Sequence, residues 1–414
     1  MNRCPPERIR TAWEAIVGNY DSALAQRTST RDHLISLNAD GFEQVRWREA
    51  IRDRVEQYPE FFENYDYSWC DNRECFDFPI EAAYQVRAID AAIGLWCSPL
   101  VEKPAALHLG HIVARTTYLS RFEHATPRAK SSAGFDFLIT PLGWIEFVHR
   151  FYGAFGRAWD FESPARIDWN ECCADAWNAI SANLIASLET EVDHDLPGLV
   201  EAVATEVPFF RGALVVLTAS DETDLSRDLA RAAQDFAICH EVAHIAAQDE
   251  TSPDEVRADR WGLAAYIGSW PLQLPLHLNV ARADDLRAAL GPLAFSWAVQ
   301  CLLAARVHVA RASGQPPEVV ERRLRVLRAG IERSQALIAH VDSGVSAFVA
   351  RGARGSSPEE MEPWNRLVRA LSSYVVAFVG AAQALPPDAC IAALAAARRA
   401  GDETRQAPAV HMQT

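Results

Sequence analysis

Residues 236–245 read Phe-Ala-Ile-Cys-His-Glu-Val-Ala-His-Ile and contain two histidines four positions apart, His240 and His244, with Glu241 between them. On a helix, residues four apart lie one above the other on the same face. Both imidazoles can therefore reach one metal ion, with the carboxylate of Glu241 beside them. The pattern H-E-x-x-H on a helix is typical of a zinc site whose glutamate is a general base.

The residues before the histidine pair predict the scaffold that carries it. Residues 211–220 form a β-branched apolar run, which predicts a strand, and the polar residues 220–224 can cap the helix that follows. Apolar side chains then recur at helical spacing along one stripe: Leu225, Leu229, Ala232, Phe236, Cys239 and Ala243. We therefore expect a strand, a short connection and a packed helix that presents both histidines.

A catalytic zinc ion keeps three protein ligands and one open position, so a third ligand is needed. The acidic candidates downstream are Asp249, Glu250, Glu255 and Asp259. The first two follow the helix too closely to turn back onto its histidines, whereas Glu255 begins a new helix and can approach from another direction. Asp259, one turn later, can hold the second ring nitrogen of His240. Alternatively, Glu255 forms a capping box with Ser252 and binds no metal.

Glu241 is predicted to act as the base rather than as a ligand, because it projects about 100 degrees around the helix from its neighbours. A metal ion lowers the pKa of its bound water to about 7, so a nearby carboxylate can remove the proton. The resulting hydroxide would attack a carbonyl group. The candidates for stabilising the oxyanion are Tyr266, His277 and His308.

The pair of segments His240–His244 and Glu255-Val-Arg-Ala-Asp259 resembles the gluzincin metallopeptidases. The HtpX-like and CAAX prenyl protease family is the first resemblance, and the ImmA/IrrE-like peptidases are the second. The resemblance covers about residues 210–270. It implies a zincin-like core and a zinc-dependent endopeptidase, with Glu255 as the third zinc ligand and Asp259 behind a histidine.

The charge and composition of the chain argue against some classes of protein. The net charge of −15 argues against nucleic-acid binding, which needs a basic surface. The polar N-terminus has no apolar core of the kind a secretory signal needs, and nine cysteines without such a signal predict reduced thiols in the cytoplasm. The most apolar run, residues 288–305, contains Pro292, Ser296 and Gln300, and we interpret it as a buried helix rather than a membrane span.

The predicted fold class is mainly α (α+β), with a zincin-like catalytic core that includes a small sheet, flanked by helical N- and C-terminal regions. Residues 1–195 form a helical region that is a candidate for substrate recognition, residues 196–350 form the metallopeptidase core, and residues 351–414 form C-terminal helices and a tail. Residues 121–134 are polar and predict a surface loop. A helix over residues 316–340 carries arginines expected to face solvent or another domain: Arg322, Arg325, Arg328 and Arg333.

The expected function is zinc-dependent hydrolysis of a bond in a peptide or protein substrate, with Glu241 as the general base. One alternative is a peptide-modifying metalloenzyme that uses the same His/His/Glu site. Another is a non-catalytic binding protein on a zincin scaffold, and the presence of Glu241 speaks against it because a purely structural site has no use for a base. The sequence leaves the oligomeric state open.

Overall fold

The computed structural model describes residues 6–17, 44–62, 79–98, 101, 112–117, 126–159, 224–247, 255–269, 284–312, 316–352 and 358–384. The elements are, in chain order, α1 (Pro6–Val17), α2 (Gln44–Gln57), α3 (Pro59–Phe62), α4 (Pro79–Cys97), β1 (Ile112–Thr117), β2 (Arg128–Ser132), β3 (Phe135–Pro141), α5 (Leu142–Ala158), α6 (Asp224–Ala246), α7 (Glu255–Gly268), α8 (Asp284–Ala312), α9 (Pro317–Gly352) and α10 (Pro358–Ala384). They fall into two compact units. The first draws on Met1–Ile145, Asp228–Ser296 and Arg333–Glu360, and the second on Glu146–Arg227, Trp297–Glu332 and Met361–Thr414.

The described residues are mostly helical, with one small three-stranded sheet, which confirms the predicted mainly α (α+β) class. The strand order is β1-β3-β2, with β1 parallel and β2 antiparallel to β3. A two-residue turn joins β2 to β3 at Ala133 and Gly134, whose φ angles are 50° and 83°. Positive φ at both positions matches the right-handed twist of a hairpin. The prediction of a surface loop over residues 121–134 is wrong over β2, whereas the turn at Ala133 and Gly134 is exposed as predicted.

Helix α4 packs against the edge strand β1 and forms side-chain hydrogen bonds with the backbone of this strand. The side chain of Gln85 donates from Nε2 to the carbonyl of Ile112 at 2.9 Å and accepts from the N–H of Ala114 at 2.8 Å. Gln85 is fully buried, so it pairs with the edge of β1 much as another strand would. The other edge of the sheet belongs to β2.

Helix α6 packs as its sequence predicts, because every member of the stripe from Leu225 to Ala243 is buried. Polar contacts to α4 fix its position further. The hydroxyl of Tyr84 donates to Gln234 Oε1 at 2.6 Å, and Arg87 forms an ion pair with Asp235. These contacts lie one to two turns before the histidine pair, so they anchor the segment that carries it.

Helices α4 and α7 cross at very short range through Gly94 and Gly268. A Cβ atom at Gly94 would lie 2.4 Å from the carbonyl oxygen of Ala265, and one at Gly268 would lie 2.2 Å from the carbonyl oxygen of Gly94. Only residues without a side chain allow this approach. The crossing fixes the C-terminal end of α7, and its N-terminal end faces the histidines of α6.

In the second unit, aromatic side chains of α5 and α10 form the core. Phe151 packs against Tyr374 and Phe378, with ring centroids 4.8 and 5.4 Å away, and the hydroxyl of Tyr374 donates to the carbonyl of Phe151 at 2.9 Å. In the described part of the chain, one helix segment, Leu290–Val307, is long and apolar enough to cross a membrane, and 83% of it is buried. The predicted strand at residues 211–220 lies outside the described residues.

Candidate metal centre

Helix α6 brings His240 and His244 onto one face, as their spacing predicts. Their Nε2 atoms lie 3.1 Å apart and their rings meet edge to face, with centroids at 4.7 Å. His240 is buried, and its ring lies 5.9 Å from that of Phe295, also buried. The side chain of His244 is 18% exposed. An apolar ring therefore packs against His240, whereas His244 reaches solvent.

Helix α7 brings the carboxylate of Glu255 to both imidazoles. Glu255 is the first residue of α7, and its side chain is about half exposed. Its Oε2 lies 3.3 Å from Nε2 of His240, and its Oε1 lies 3.6 Å from Nε2 of His244. His240, His244 and Glu255 thus form a group that could hold a metal ion. Ser252, the partner in the alternative capping box, lies outside the described residues.

The spacing of these donor atoms suits a small divalent ion. Zinc binds nitrogen and oxygen at about 2.0–2.2 Å in a tetrahedral arrangement, which places neighbouring donors roughly 3.3 Å apart. The two imidazole nitrogens are 3.1 Å apart, and each has an oxygen of Glu255 nearby, Oε2 at 3.3 Å from His240 and Oε1 at 3.6 Å from His244. Two imidazoles and one carboxylate are also a donor set that catalytic zinc sites use. Because Glu255 is about half exposed, the group is accessible to solvent on that side.

Asp259 lies behind His240, in the position that its sequence spacing predicts. Its Oδ1 is 3.0 Å from Nδ1 of His240, so it contacts the ring nitrogen that faces away from the ligand group. A carboxylate at Nδ1 fixes the ring orientation and directs the lone pair of Nε2 towards a metal. Asp259 is buried, unlike Glu255, although both lie on the same face of α7.

Gly262 allows α7 to approach the histidine helix this closely. A Cβ atom there would lie 3.0 Å from the Cα of His240 and 3.1 Å from its backbone nitrogen. Because Gly262 follows Asp259 by three residues, it lies on the face that carries both acidic side chains. The glycine therefore sets the distance from Glu255 and Asp259 to His240.

Glu241 is buried and lies outside the group of three donors. The backbone N–H of Ala129, in β2, donates to its carboxylate. Burial raises the pKa of Glu241, although the nearby histidines and the bond from Ala129 act in the opposite direction. The carboxylate is thus held between α6 and the sheet, in a setting that favours proton uptake.

Arg333, from α9, also enters the site and was not predicted there. Its Nε and Nη2 donate to the two oxygens of Asp259, each at 2.7 Å, and its Nη1 lies 2.6 Å from Oε2 of Glu255. Its Nη2 is 3.2 Å from Nε2 of His240. The prediction that Arg333 faces solvent or another domain is wrong, whereas the other three arginines of its group are exposed: Arg322, Arg325 and Arg328.

The charged groups of the site shift one another's pKa values. Burial alone would lower the pKa of His240, but hydrogen bonds that its ring donates to Asp259 and Glu255 raise the pKa to about 9. Burial would raise the pKa of Glu255, but the two histidines and Arg333 lower it well below its usual range. The pKa of Asp259 is also lowered, because bonds from Arg333 and His240 outweigh its burial. Both carboxylates are therefore ionised at neutral pH.

The remaining candidates are placed as follows. Tyr266 is fully buried, with its ring 5.9 Å from that of Phe236, and the N–H of Gly291 bonds to its oxygen. That enclosure excludes it as an oxyanion donor in this conformation. His308 lies on α8. The other candidates lie outside the described residues: Asp249, Glu250 and His277.

Comparison of the chain with protein-family models, curated proteins and solved structures finds no match.

Proposed function

We propose that the protein is a zinc-dependent peptidase in which Glu241 is the general base. One observation carries the proposal. A ligand group of His240, His244 and Glu255 lies beside a fourth, buried group, Glu241, whose carboxylate takes no part in it. A site that only stabilises the fold would need the ligands but not the neighbouring base. The resemblance of both segments to gluzincins supports zinc as the ion and a peptide as the substrate.

Each residue of the site would have a separate role in this reaction. His240, His244 and Glu255 would hold the ion, and Asp259 would keep the ring of His240 in its binding orientation. When bound, a zinc ion lowers the pKa of a coordinated water to about 7 and polarises a carbonyl oxygen. Glu241 would accept the proton from the attacking water and deliver it to the leaving amine.

The environment of Glu241 fits that task. A general base works best when its pKa lies near the working pH, and burial moves the pKa of Glu241 upwards in that direction. The hydrogen bond from Ala129 holds the carboxylate in place without neutralising it. The proton can therefore be taken up and released again without a large change in the position of the side chain.

Strand β2 lies beside the proposed base. Among the described strands it pairs with β3, and the N–H of Ala129 donates to the carboxylate of Glu241. A peptide bound with its scissile carbonyl next to Glu241 would therefore lie close to β2.

The direct test is the Glu241→Gln variant, which keeps the size of the side chain and an oxygen for Ala129 but cannot take up a proton. Zinc-loaded wild-type and variant proteins are incubated with a peptide library, and new termini are sought by mass spectrometry. We expect wild-type cleavage, a loss of at least about 100-fold in the variant and equal zinc content in both. Glu318→Gln, an exposed change in the first turn of α9, is the matched control and should cleave normally.

The outcomes separate the alternatives. Wild-type protein that changes the mass of peptides without creating new termini would indicate a peptide-modifying enzyme. Tight zinc binding with no chemical change in any peptide would favour a binding protein. Cleavage that survives in Glu241→Gln would refute the role given to the base.

A further inference from the structure

Arg333 touches both carboxylates of the metal centre and one of its imidazoles. The guanidinium makes a two-pronged bond to Asp259, with both contacts at 2.7 Å, and reaches Oε2 of Glu255 at 2.6 Å. This last contact is shorter than those of Glu255 to His240 and His244, at 3.3 and 3.6 Å. Glu255 is therefore shared between the imidazoles and a permanent cation.

The position of Arg333 is built into the fold. Ser334, the next residue in α9, is buried and donates to the carbonyl of Ser296 in α8 at 3.4 Å. The side chain of Arg333 is only 27% exposed. Its planar fork matches both oxygens of Asp259, which is a geometry that lysine cannot reproduce.

A bound ion would lie close to this charge. Arg333 Nη2 is 3.2 Å from Nε2 of His240, and metal–nitrogen bonds are about 2 Å long. The ion and the nearest guanidinium nitrogen can therefore be no more than roughly 5 Å apart. At that separation, in a partly dehydrated site, the repulsion between a divalent ion and a guanidinium is large and only weakly screened by salt.

We propose that the permanent positive charge of Arg333 competes with the metal ion for Glu255. The metal affinity of the centre is therefore lower than His240, His244 and Glu255 would give without Arg333. Occupancy of the site then follows the supply of free metal. The inference rests on the metal-binding part of the proposed function. Arg333 also supports Asp259, and loss of such support weakens metal binding by 10- to 100-fold in other proteins. Asp259, however, keeps its contact with His240 from its own helix, so the charge effect prevails.

The test compares metal affinities and needs no enzymatic activity. The dissociation constant for zinc is measured by competition with a chromophoric chelator in wild type, Arg333→Gln, Arg333→Lys and Arg328→Gln. Arg328 is exposed on the same helix and provides the matched loss of charge. We expect Arg333→Gln to bind zinc at least about tenfold more tightly. Arg333→Lys, which keeps the charge, should stay within about threefold of wild type, as should Arg328→Gln.

Circular dichroism of each metal-free variant checks its folding, and Arg333→Met, which keeps the apolar stem, replaces Arg333→Gln if the latter does not fold. Equal or weaker zinc binding by the neutral variant would overturn this inference and leave the metal centre standing. An equal gain in Arg333→Lys would show that charge is not the cause and would also overturn it. Failure of the wild type to bind zinc would overturn both the inference and the proposed function.

Discussion

Replacing Gly262 with alanine tests whether the close approach of α7 to α6 builds the metal centre. The new Cβ would meet the Cα and nitrogen of His240 at 3.0 and 3.1 Å, whereas ordinary contact begins at 3.4 Å. Both opposing atoms belong to the backbone, so one helix must move by a few tenths of an ångström. Metal–ligand distances tolerate only about ±0.2 Å, and Glu255 moves with α7.

Two opposing terms set the magnitude of this effect on stability. Alanine in place of glycine favours a helix by about 1 kcal/mol, while overpacking a close contact costs about 1–3 kcal/mol. We therefore expect the metal-free variant to lose at most about 2 kcal/mol of unfolding free energy. The displaced ligands should weaken zinc binding by about tenfold, which corresponds to about 1.4 kcal/mol.

The assay pairs thermal melting of the metal-free protein with chelator competition for zinc. Gly330→Ala is the matched control, because its Cβ would meet only the side chain of Leu303, whose flexible end, Cδ1, would lie at 2.5 Å. It should leave the zinc affinity unchanged. Wild-type zinc affinity in Gly262→Ala would refute the reasoning, since it would show that the helix spacing at His240 does not control the ligand positions.

Two further predictions concern the electrostatics of the centre. The pKa of His240 is raised to about 9, so its charged form stabilises the metal-free protein fully below the ordinary pKa of about 6.5. That stabilisation is lost as the pH rises through 9. Because zinc needs the neutral ring, its apparent affinity should rise by up to about tenfold per pH unit between pH 6.5 and 9, and a flat titration profile would contradict this. Asp259→Asn should weaken zinc binding by about 10- to 100-fold, and unchanged affinity in the same chelator assay would remove Asp259 from the centre.

The histidine helix and its acidic neighbours were predictable because their signals are local. The spacing of His240 and His244 fixes their common face, and the apolar stripe of α6 predicts which side is buried. Glu255 and Asp259 lie one turn apart at the start of the next helix in the sequence. The described residues show these four side chains together.

A small sheet was predicted, but the positions of its described strands and the role of Arg333 were missed because their signals are not local. Strand β2 reads Arg-Ala-Lys-Ser-Ser, without the alternation that predicts a strand, and its turn uses Ala133 where asparagine or aspartate is usual. Arg333 is separated from Asp259 by 74 positions. In sequence it is indistinguishable from the exposed arginines of the same helix, since only the packing of α9 turns it towards the centre.

Other expectations stay predictions. They are the three consecutive regions of the chain, the cytoplasmic location, the peptide or protein substrate, the absence of nucleic-acid partners and the gluzincin relationship. None of them follows from the packing of the described residues.

The most direct measurement is the zinc content of purified wild type beside His240→Ala and Glu255→Ala after dialysis against trace zinc. The ligand geometry predicts about one zinc ion per wild-type chain and a strong loss in both variants. A Glu255→Ala variant that retains its zinc would return Glu255 to a capping role at the start of α7. A wild type that binds no zinc would contradict the metal centre itself.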